Sequence, residues 1–222
     1  MKLMKFYRQN WFFIGGILFV VLAYFTGFFG DHLSHIQLIL TYSYMAMLVH
    51  QFEEYGLPGG FPSIFNIAVN GEKNVPERYP LNANQVMINN VFMAYPFYIL
   101  AILFPGAIWY GLIQVGQGMV QIVNHGFYNN FKLKSFYNPG EASVVLLHWP
   151  LGIYYIWYVV SNQLATPTDL IVGFIGAWAS VFILWLGPVN LLKNKQSKYP
   201  FSQNEFYGYA KAKLLRLKNT KS

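Results

Sequence analysis

WFFIGGILFVVLAYFTGFFG, residues 11–30, is a stretch of twenty residues without a single charge. An α-helix of about 20 apolar residues crosses the hydrocarbon core of a bilayer. Lys2, Lys5 and Arg8 precede the stretch, which is also the pattern of a signal peptide. However, the apolar run exceeds the ~7–15 residues usual in signal peptides, and no polar cleavage region of small residues follows it. The stretch is therefore predicted to be a retained transmembrane helix.

Five further apolar segments follow, and each is near the length that a helix needs to cross a bilayer. They cover about residues 33–50, 86–104, 107–123, 142–160 and 170–192. The sequence therefore predicts an all-α integral membrane bundle with six transmembrane helices in residues 1–192. A tail over residues 193–222 follows the bundle.

The composition of the chain agrees with this fold class. The 222 residues are 55% hydrophobic and 10% charged, whereas soluble domains average roughly 25% charged. Aromatic residues make up 19% of the chain, which is typical of proteins that meet a bilayer interface. The chain has no cysteine, which excludes disulfides, iron–sulfur clusters and thiolate zinc sites.

The basic residues predict the orientation of the bundle. All fifteen Lys and Arg residues fall in the N-terminus, in the loops after the second and fourth segments, and in the tail. By the positive-inside rule, this pattern predicts a multi-pass protein of the cell membrane with both termini in the cytoplasm. The net charge of +7 therefore reflects topology, and no nucleic-acid motif accompanies it.

The tail has the pattern of a basic amphipathic helix. Apolar residues recur in it at helical spacing, with lysines and arginines between them: Phe206, Tyr209, Ala210, Leu214 and Leu217. Such a helix lies either on the anionic cytoplasmic leaflet or against the protein's own loops. The basic residues favour the leaflet.

HQFEE, residues 50–54, places potential metal ligands at the predicted cytoplasmic end of the second segment. On a helix, His50, Glu53 and Glu54 share one face, because residues three and four apart are neighbours. A snorkelling cluster at the membrane interface is the alternative. It is disfavoured, because two adjacent acids oppose an anionic membrane surface and have no basic partner nearby in the sequence.

A polar stripe runs along the fourth segment toward the same side. At steps of three or four residues it contains Gln114, Gln117, Gln121, Asn124 and His125. Such a stripe must face protein or a water-filled cavity, because hydrocarbon leaves amides unsatisfied. Hydrogen bonds between helices, at about 0.6 kcal/mol each, are the alternative and are favoured for Gln114 and Gln117.

Two other segments begin with polar side chains at the same predicted depth. Asn89 lies near the start of the third segment, and Glu141 and His148 lie near the start of the fifth. Glu141 follows a Pro-Gly pair and is favoured as an N-terminal helix cap, where the helix dipole stabilises a carboxylate. His148 either borders a cavity or is a buried histidine bonded to a carbonyl. With Gln121 and Asn124, these residues predict a polar cavity open to the cytoplasm.

The HQFEE motif of residues 50–54 resembles the signature of the HXXEE family of prokaryotic membrane proteins. The similarity extends to Asn124-His125 in the fourth segment and to YNPG, residues 137–140, before the fifth. Members of the family carry a histidine and a Tyr-x-Pro-Gly segment in a similar order. The resemblance implies a family of unknown function that is suspected of metal-dependent activity. Glu141 and His148 match no motif of the family and inherit no role.

Imidazoles and carboxylates that converge from two helices suit a divalent transition metal, and these ligands leave Zn, Fe and Mn open. A catalytic zinc site takes three protein ligands and one water. His50, His125 and one of the two glutamates are predicted to be the ligands, and the other glutamate to be the general base. Glu53 is favoured as the ligand and Glu54 as the base, since the helix is predicted to end soon after Glu54.

Three functions are open on the sequence alone. The leading one is a metal-dependent membrane enzyme, with a lipid or another amphiphile hydrolysed from the cytoplasmic side. The second is a proton-coupled transporter, because buried His and Glu serve proton relays, although no inverted repeat is visible. The third is a non-catalytic membrane scaffold. The H-E-x-x-H and G-x-S-x-G motifs of known hydrolases are absent.

Overall fold

A computed structural model describes residues 2–219 of the chain, without the side chains of residues 204, 205 and 219. The described residues form eight helices and no strand, so the predicted all-α class is confirmed. Helix α1 is Lys2–Phe29 and continues into a 3₁₀ turn, Gly30–His32. The other helices are α2, His35–Tyr55; α3, 61–69; α4, Ala83–Leu103; α5, 108–133; α6, Glu141–Ser161; α7, Pro167–Leu192; and α8, 203–219.

Four helices in this part of the chain are long and apolar enough to cross a membrane, and the prediction of six is wrong. They are α1 with its 3₁₀ turn, α4, α6 and α7. The predicted spans over residues 33–50 and 107–123 correspond to α2 and α5. Both helices are long, but α2 carries His, Gln, Ser, Thr and Glu side chains, and α5 carries the polar stripe. These side chains lower the mean hydropathy below that of a lipid-facing span.

Helix α2 is enclosed by other helices. It contacts α1, α4, α5 and α6. Its buried polar side chains are Thr41, Ser43, His50, Gln51, Glu53 and Glu54. Polar groups in a bilayer protein have to be covered by protein or reach water, because hydrocarbon offers them no partner. The position of α2 at the centre of the bundle meets this requirement.

The two ends of the bundle differ in charge. At one end, Arg8 Nε donates to Asn84 Oδ1 at 2.9 Å, which joins the starts of α1 and α4. At the opposite end, His35 Nε2 lies 2.9 Å from the Tyr154 hydroxyl, which joins the start of α2 to the last part of α6. The loop of residues 162–166 follows α6 and contains no Lys or Arg. Which end faces the cytoplasm stays a prediction.

The tail helix α8 packs against the protein itself. Phe206, Ala210 and Leu214 are buried in the same core as Ile64 and Phe65 of α3. These three side chains therefore pack on the protein itself and not on the membrane leaflet that the sequence favoured, whereas Tyr209 and Leu217 of the same predicted face are exposed. Lys211, Lys213 and Arg216 of the helix are exposed, and residues 220–222 lie outside the described part.

Candidate metal centre

His50 and Glu54 lie one helical turn apart on the buried face of α2. The helix does not end at His50, as the predicted span does, but continues to Tyr55. Its extra turn brings Glu54 Oε1 to 3.7 Å from His50 Nε2, as expected for residues four apart. The exposed fraction is 6% for His50 and 5% for Glu54, so both polar groups are withdrawn from solvent.

His125 of α5 completes a cluster with these two residues. Its Nε2 lies 3.3 Å from Glu54 Oε1, and its side chain is buried. The imidazole rings of His50 and His125 are 4.9 Å apart and nearly perpendicular. One potential ligand atom from each of the three residues lies within 4.8 Å of the other two, so a single metal ion can contact all three.

The Nδ1 atom of His50 is held by oxygen atoms at the start of α6. It lies 3.0 Å from the backbone oxygen of Gly140 and 3.0 Å from Ser143 Oγ. A carbonyl oxygen only accepts hydrogen bonds, so His50 carries its proton on Nδ1. The lone pair of Nε2 is then free and points toward Glu54.

Asn138 fixes His125 in the same way. Asn138 Nδ2 donates to the backbone oxygen of His125 at 2.6 Å and to Asn130 Oδ1 at 2.8 Å. These two acceptors determine the orientation of the amide, so the atom 2.9 Å from His125 Nδ1 is the acceptor Oδ1. His125 therefore also carries its proton on Nδ1. A hydrogen bond from the second ring nitrogen to an oxygen is typical of metal-binding histidines.

Glu53 is not one of the three residues of the cluster and bonds to the start of α6. Its Oε1 accepts hydrogen bonds from the Tyr137 hydroxyl at 2.8 Å and the Ala142 N–H at 3.0 Å. Its Oε2 accepts from the Ser143 N–H at 2.8 Å. These N–H groups lie in the first turn of α6, where backbone donors lack intrahelical partners. Burial and the Glu53 carboxylate raise the pKa of Tyr137, which keeps this phenol protonated as a donor.

Glu141 also lies outside the cluster, in the first turn of α6, where the sequence favoured a capping role. Its Oε2 accepts from Asn130 Nδ2 at 2.8 Å and from the Asn138 N–H at 3.2 Å. Glu141 therefore holds the loop that carries Asn138. Through Asn138 it supports His125, without reaching the site itself.

A cavity of about 60 Å³ adjoins the cluster. The structure brings four predicted lining residues to its wall, namely Asn89, Gln121, Asn124 and His148. It adds polar residues that the sequence did not assign to the cavity: Gln51, Asn90, Tyr98 and Gln117. The sequence favours a hydrogen bond between helices for Gln117. The structure shows such a bond, from the Tyr98 hydroxyl to Gln117 Oε1 at 2.7 Å, and it also places Gln117 on the cavity wall.

Four helices depart from α-helical geometry where they border the cavity. Helices α4, α5, α6 and α7 contain π-helical turns at Ile88–Met93, Val123–Asn129, Val144–His148 and Phe182–Leu186. These turns supply much of the cavity wall: Asn89, Asn90, Asn124, His125, His148, Leu184 and Trp185. Such turns are rare in proteins overall, but those that do occur are often found at functional sites. Four of these turns meet at this cavity.

His148 is a third buried imidazole beside the cluster. Its ring centre lies 5.8 Å from that of His50, and its Nδ1 has no hydrogen-bond partner within residues 2–219. The ring packs directly on Gly118 of α5, where an added Cβ would lie 2.2 Å from His148 Nδ1. Glycine at this position therefore lets α5 approach α6 closely enough for both helices to reach the cavity.

Comparison with known proteins gives one match. A family model described as "Protein of unknown function with HXXEE motif" matches residues 41–155, which is just over half of the chain. The matched region includes all three residues of the cluster and the loop that carries Asn138. No curated protein and no solved structure matches the chain. On the extent of the family match, the chain belongs to the HXXEE family.

Proposed function

We propose that this chain is a membrane-embedded enzyme that hydrolyses an amphiphilic substrate with a divalent transition metal held by His50, Glu54 and His125. One observation carries the proposal: two imidazole nitrogens and a carboxylate oxygen converge beside a polar cavity. When bound, the ion supplies Lewis acidity, which polarises a carbonyl and lowers the pKa of a water molecule.

The donor set fits such an ion. Tetrahedral zinc sites have bonds of about 2.0–2.2 Å to nitrogen and oxygen, which separates neighbouring ligand atoms by roughly 3.3–3.5 Å. Glu54 Oε1 lies 3.3 Å from one histidine nitrogen and 3.7 Å from the other. Two histidines and one glutamate are a known ligand set of catalytic zinc, with the fourth position left for water. Iron and manganese fit the same donors.

The proposal assigns the roles of the two glutamates differently from the sequence. Glu54 is the ligand, because its carboxylate faces both histidines, whereas Glu53 is occupied by the start of α6. No second carboxylate lines the cavity in the described part of the chain. His148, a titratable side chain on the same wall, is therefore assigned to accept the proton of the attacking water.

An amphiphilic substrate is supported by the apolar side of the cavity. Ala94 of α4 and Leu184 and Trp185 of α7 border the cavity and are half-buried. Both helices are apolar enough to cross a membrane, and nearby Phe92 and Phe182 are exposed. An acyl chain between α4 and α7 can therefore present its polar end to the metal from the bilayer.

A proton-coupled transporter is less well supported. A transporter requires a polar path that continues to the other side of the membrane. In the other half of the bundle, the space between the helices is filled by a cluster of buried hydrophobic residues: Ile39, Leu40, Ala101, Ile108, Leu112, Val115, Tyr155 and Val159. This packing favours a site that is reached from one side only.

Metal analysis of the purified protein tests the proposal. The wild type is expected to carry a transition metal at near-stoichiometric amount, and His125→Ala to lose most of it while still inserting into membranes. His35→Ala is a matched control, because His35 is an exposed histidine at the opposite end of the bundle. Wild-type protein of normal stability that neither contains nor binds metal would contradict the proposal.

A further inference from the structure

We propose that the cavity beside the cluster binds an uncharged group that both donates and accepts hydrogen bonds, and that this group is a carboxamide. Its consequence for the substrate rests on the proposed function: the enzyme would hydrolyse a neutral acyl amide. Water would add to the carbonyl carbon and the C–N bond would break, which gives a carboxylic acid and an amine that takes up the proton.

Asn89 is the residue that points to a ligand. It is 3% exposed and borders the cavity, and neither its Nδ2 nor its Oδ1 has a hydrogen-bond partner within the described residues. A buried polar group without a partner destabilises a protein by about 1–3 kcal/mol. Native structures retain few such groups, and each requires a specific explanation. Binding of a group that enters the cavity supplies one here.

Two neighbouring amides are held by other contacts, although Gln51 Oε1 on the same wall also lacks a partner within the described residues. Gln117 Oε1 accepts from the Tyr98 hydroxyl at 2.7 Å. Asn90 Oδ1 accepts from Gln51 Nε2 at 3.2 Å, and Asn90 Nδ2 donates to a backbone oxygen of its own helix at 2.8 Å. Asn89 therefore offers a free donor and a free acceptor from one planar amide. A second amide satisfies both at once, by a reciprocal pair of hydrogen bonds.

In the absence of a bound metal, the charge of the cavity wall disfavours anionic head groups. No Lys or Arg is among the described residues that line the cavity, and the carboxylate on its wall belongs to Glu54. Phosphates and carboxylates are recognised in proteins by Arg or Lys side chains or by clustered backbone N–H groups. A neutral amide requires no such partner. It is also not repelled by Glu54.

The size of the cavity agrees with a small reacting group. Its volume of about 60 Å³ corresponds to a few water molecules, at about 10–15 Å³ for each by the same measure. A carboxamide has three heavy atoms and fits this space. The half-buried Leu184 and Trp185 are then left to contact the acyl chain.

Binding of four probes with the same chain length tests the inference: octanamide, octanoate, octyl phosphate and octanol. Calorimetric titrations use the purified full-length protein in detergent, zinc-loaded and metal-stripped, with empty micelles subtracted. Octanamide is expected to bind most tightly to the metal-stripped form, in which no bound ion attracts the anionic probes. Asn89→Leu should weaken octanamide binding by roughly tenfold, because it removes two hydrogen bonds. It should leave octanoate binding unchanged.

Two further variants keep the test independent of folding. Asn89→Asp retains the shape of the side chain but replaces its donor by a charge, and it should also weaken octanamide binding. Asn162→Leu, at an exposed asparagine at the other end of the bundle, should bind all probes as the wild type does.

The outcomes separate this inference from the proposed function. Octanoate or octyl phosphate binding as tightly as octanamide to the metal-stripped protein would overturn the neutral-group assignment. Equal binding of octanol would overturn the carboxamide. An unchanged octanamide affinity in both Asn89 variants would show that Asn89 does not contact the bound group. Failure of the protein to bind metal would instead count against the proposed function, because the metal-stripped titrations address the cavity alone.

Discussion

Glu53 and Glu54 are adjacent in the sequence, but their carboxylates have different surroundings. Neighbouring residues on a helix point about 100° apart, so only one of them can face the histidines of the cluster. Glu54→Gln is expected to lower metal occupancy strongly. Glu53→Gln should retain the metal and lower the free energy of unfolding by about 1–3 kcal/mol, because hydrogen bonds to a charged group are lost.

Metal content and thermal unfolding, measured on both purified variants, distinguish these two roles. A Glu53→Gln protein that loses metal as completely as Glu54→Gln would show that the two glutamates do not have different roles, despite the hydrogen bonds of Glu53 to the start of α6. Full occupancy in both variants would remove Glu54 from the ligand set.

Asn138 is expected to control metal affinity without touching the metal. Its Oδ1 accepts a hydrogen bond from the Nδ1–H of His125 and so fixes the ring nitrogen that faces Glu54. Asn138→Ala should weaken metal binding by roughly 10–100-fold, as losses of such supporting contacts typically do. Asn138→Asp keeps the acceptor but loses both donors, and it should give an intermediate affinity. Competition with a chromogenic chelator measures the three affinities, and equal values would contradict the role of Asn138.

The three residues of the cluster were predictable from the sequence, but their surroundings were not. His50 and Glu54 are four residues apart, and His125 ends a polar stripe, so simple helical spacing brings them to a common depth. The role of Glu53 depends on the N–H groups of Ala142 and Ser143, which lie 89 and 90 positions further along the chain. No local pattern contains such a contact.

Because of the π-helical turns, helical periodicity did not predict all the residues that border the cavity. Each such turn contains an extra residue, and side chains beyond it no longer follow the spacing of an α-helix. Asn90 follows Asn89 directly and falls off the predicted polar face, yet both border the cavity. Helix α4 can present both because Ile88–Met93 is a π-helical turn.

Helix α8 is held by direct contact between its backbone and the turn that follows α2. The Tyr209 N–H donates to the Gly59 oxygen at 3.1 Å. A Cβ on Gly208 would lie 2.3 Å from the backbone of Gly59, and a Cβ on Gly60 would lie 2.5 Å from the Tyr207 oxygen. The glycines on both sides of this contact leave no room for a side chain.

Gly208→Ala is therefore expected to detach α8 from the body of the protein. Backbone atoms cannot move aside as a flexible side chain does, so the added methyl should cost about 1–3 kcal/mol. Trypsin should then cleave the detached helix at Lys211 and Lys213 faster than in the wild type. Gly106→Ala is the matched control, because a Cβ there meets no atom within 4 Å. Equal cleavage of all three proteins would contradict the contact.

The number of membrane-crossing helices was overestimated because apolar residues on a buried helix and on a lipid-facing helix look alike in a short window. Helices α2 and α5 have long apolar stretches, but they also carry the polar residues of the site. Helices α1, α4, α6 and α7, in contrast, are apolar over the full length that a membrane crossing requires. The overall class was predictable from composition, whereas the division between central and outer helices required the packing.

The orientation of the whole bundle is a testable prediction of the charge pattern. A reporter fusion at Asn130 should report the cytoplasm, because Lys132 and Lys134 lie close to this position. A fusion at Gln163 should report the opposite side, since its loop has no basic residue. The same location for Asn130 and Gln163 would contradict the arrangement in which the site and the loop without basic residues lie at opposite ends.

The bond between Glu53 and the start of α6 has a consequence for the timing of synthesis. Ribosomes add about 5–20 residues each second, so Ser143 emerges roughly 5–20 s after its partner on α2. During that interval the nascent α2 already exists, while the helices that will cover His50 and Glu54 are still being made. The polar end of α2, with His50 and Glu54, must therefore stay in the translocation machinery or at the membrane surface until α5 and α6 have been synthesised.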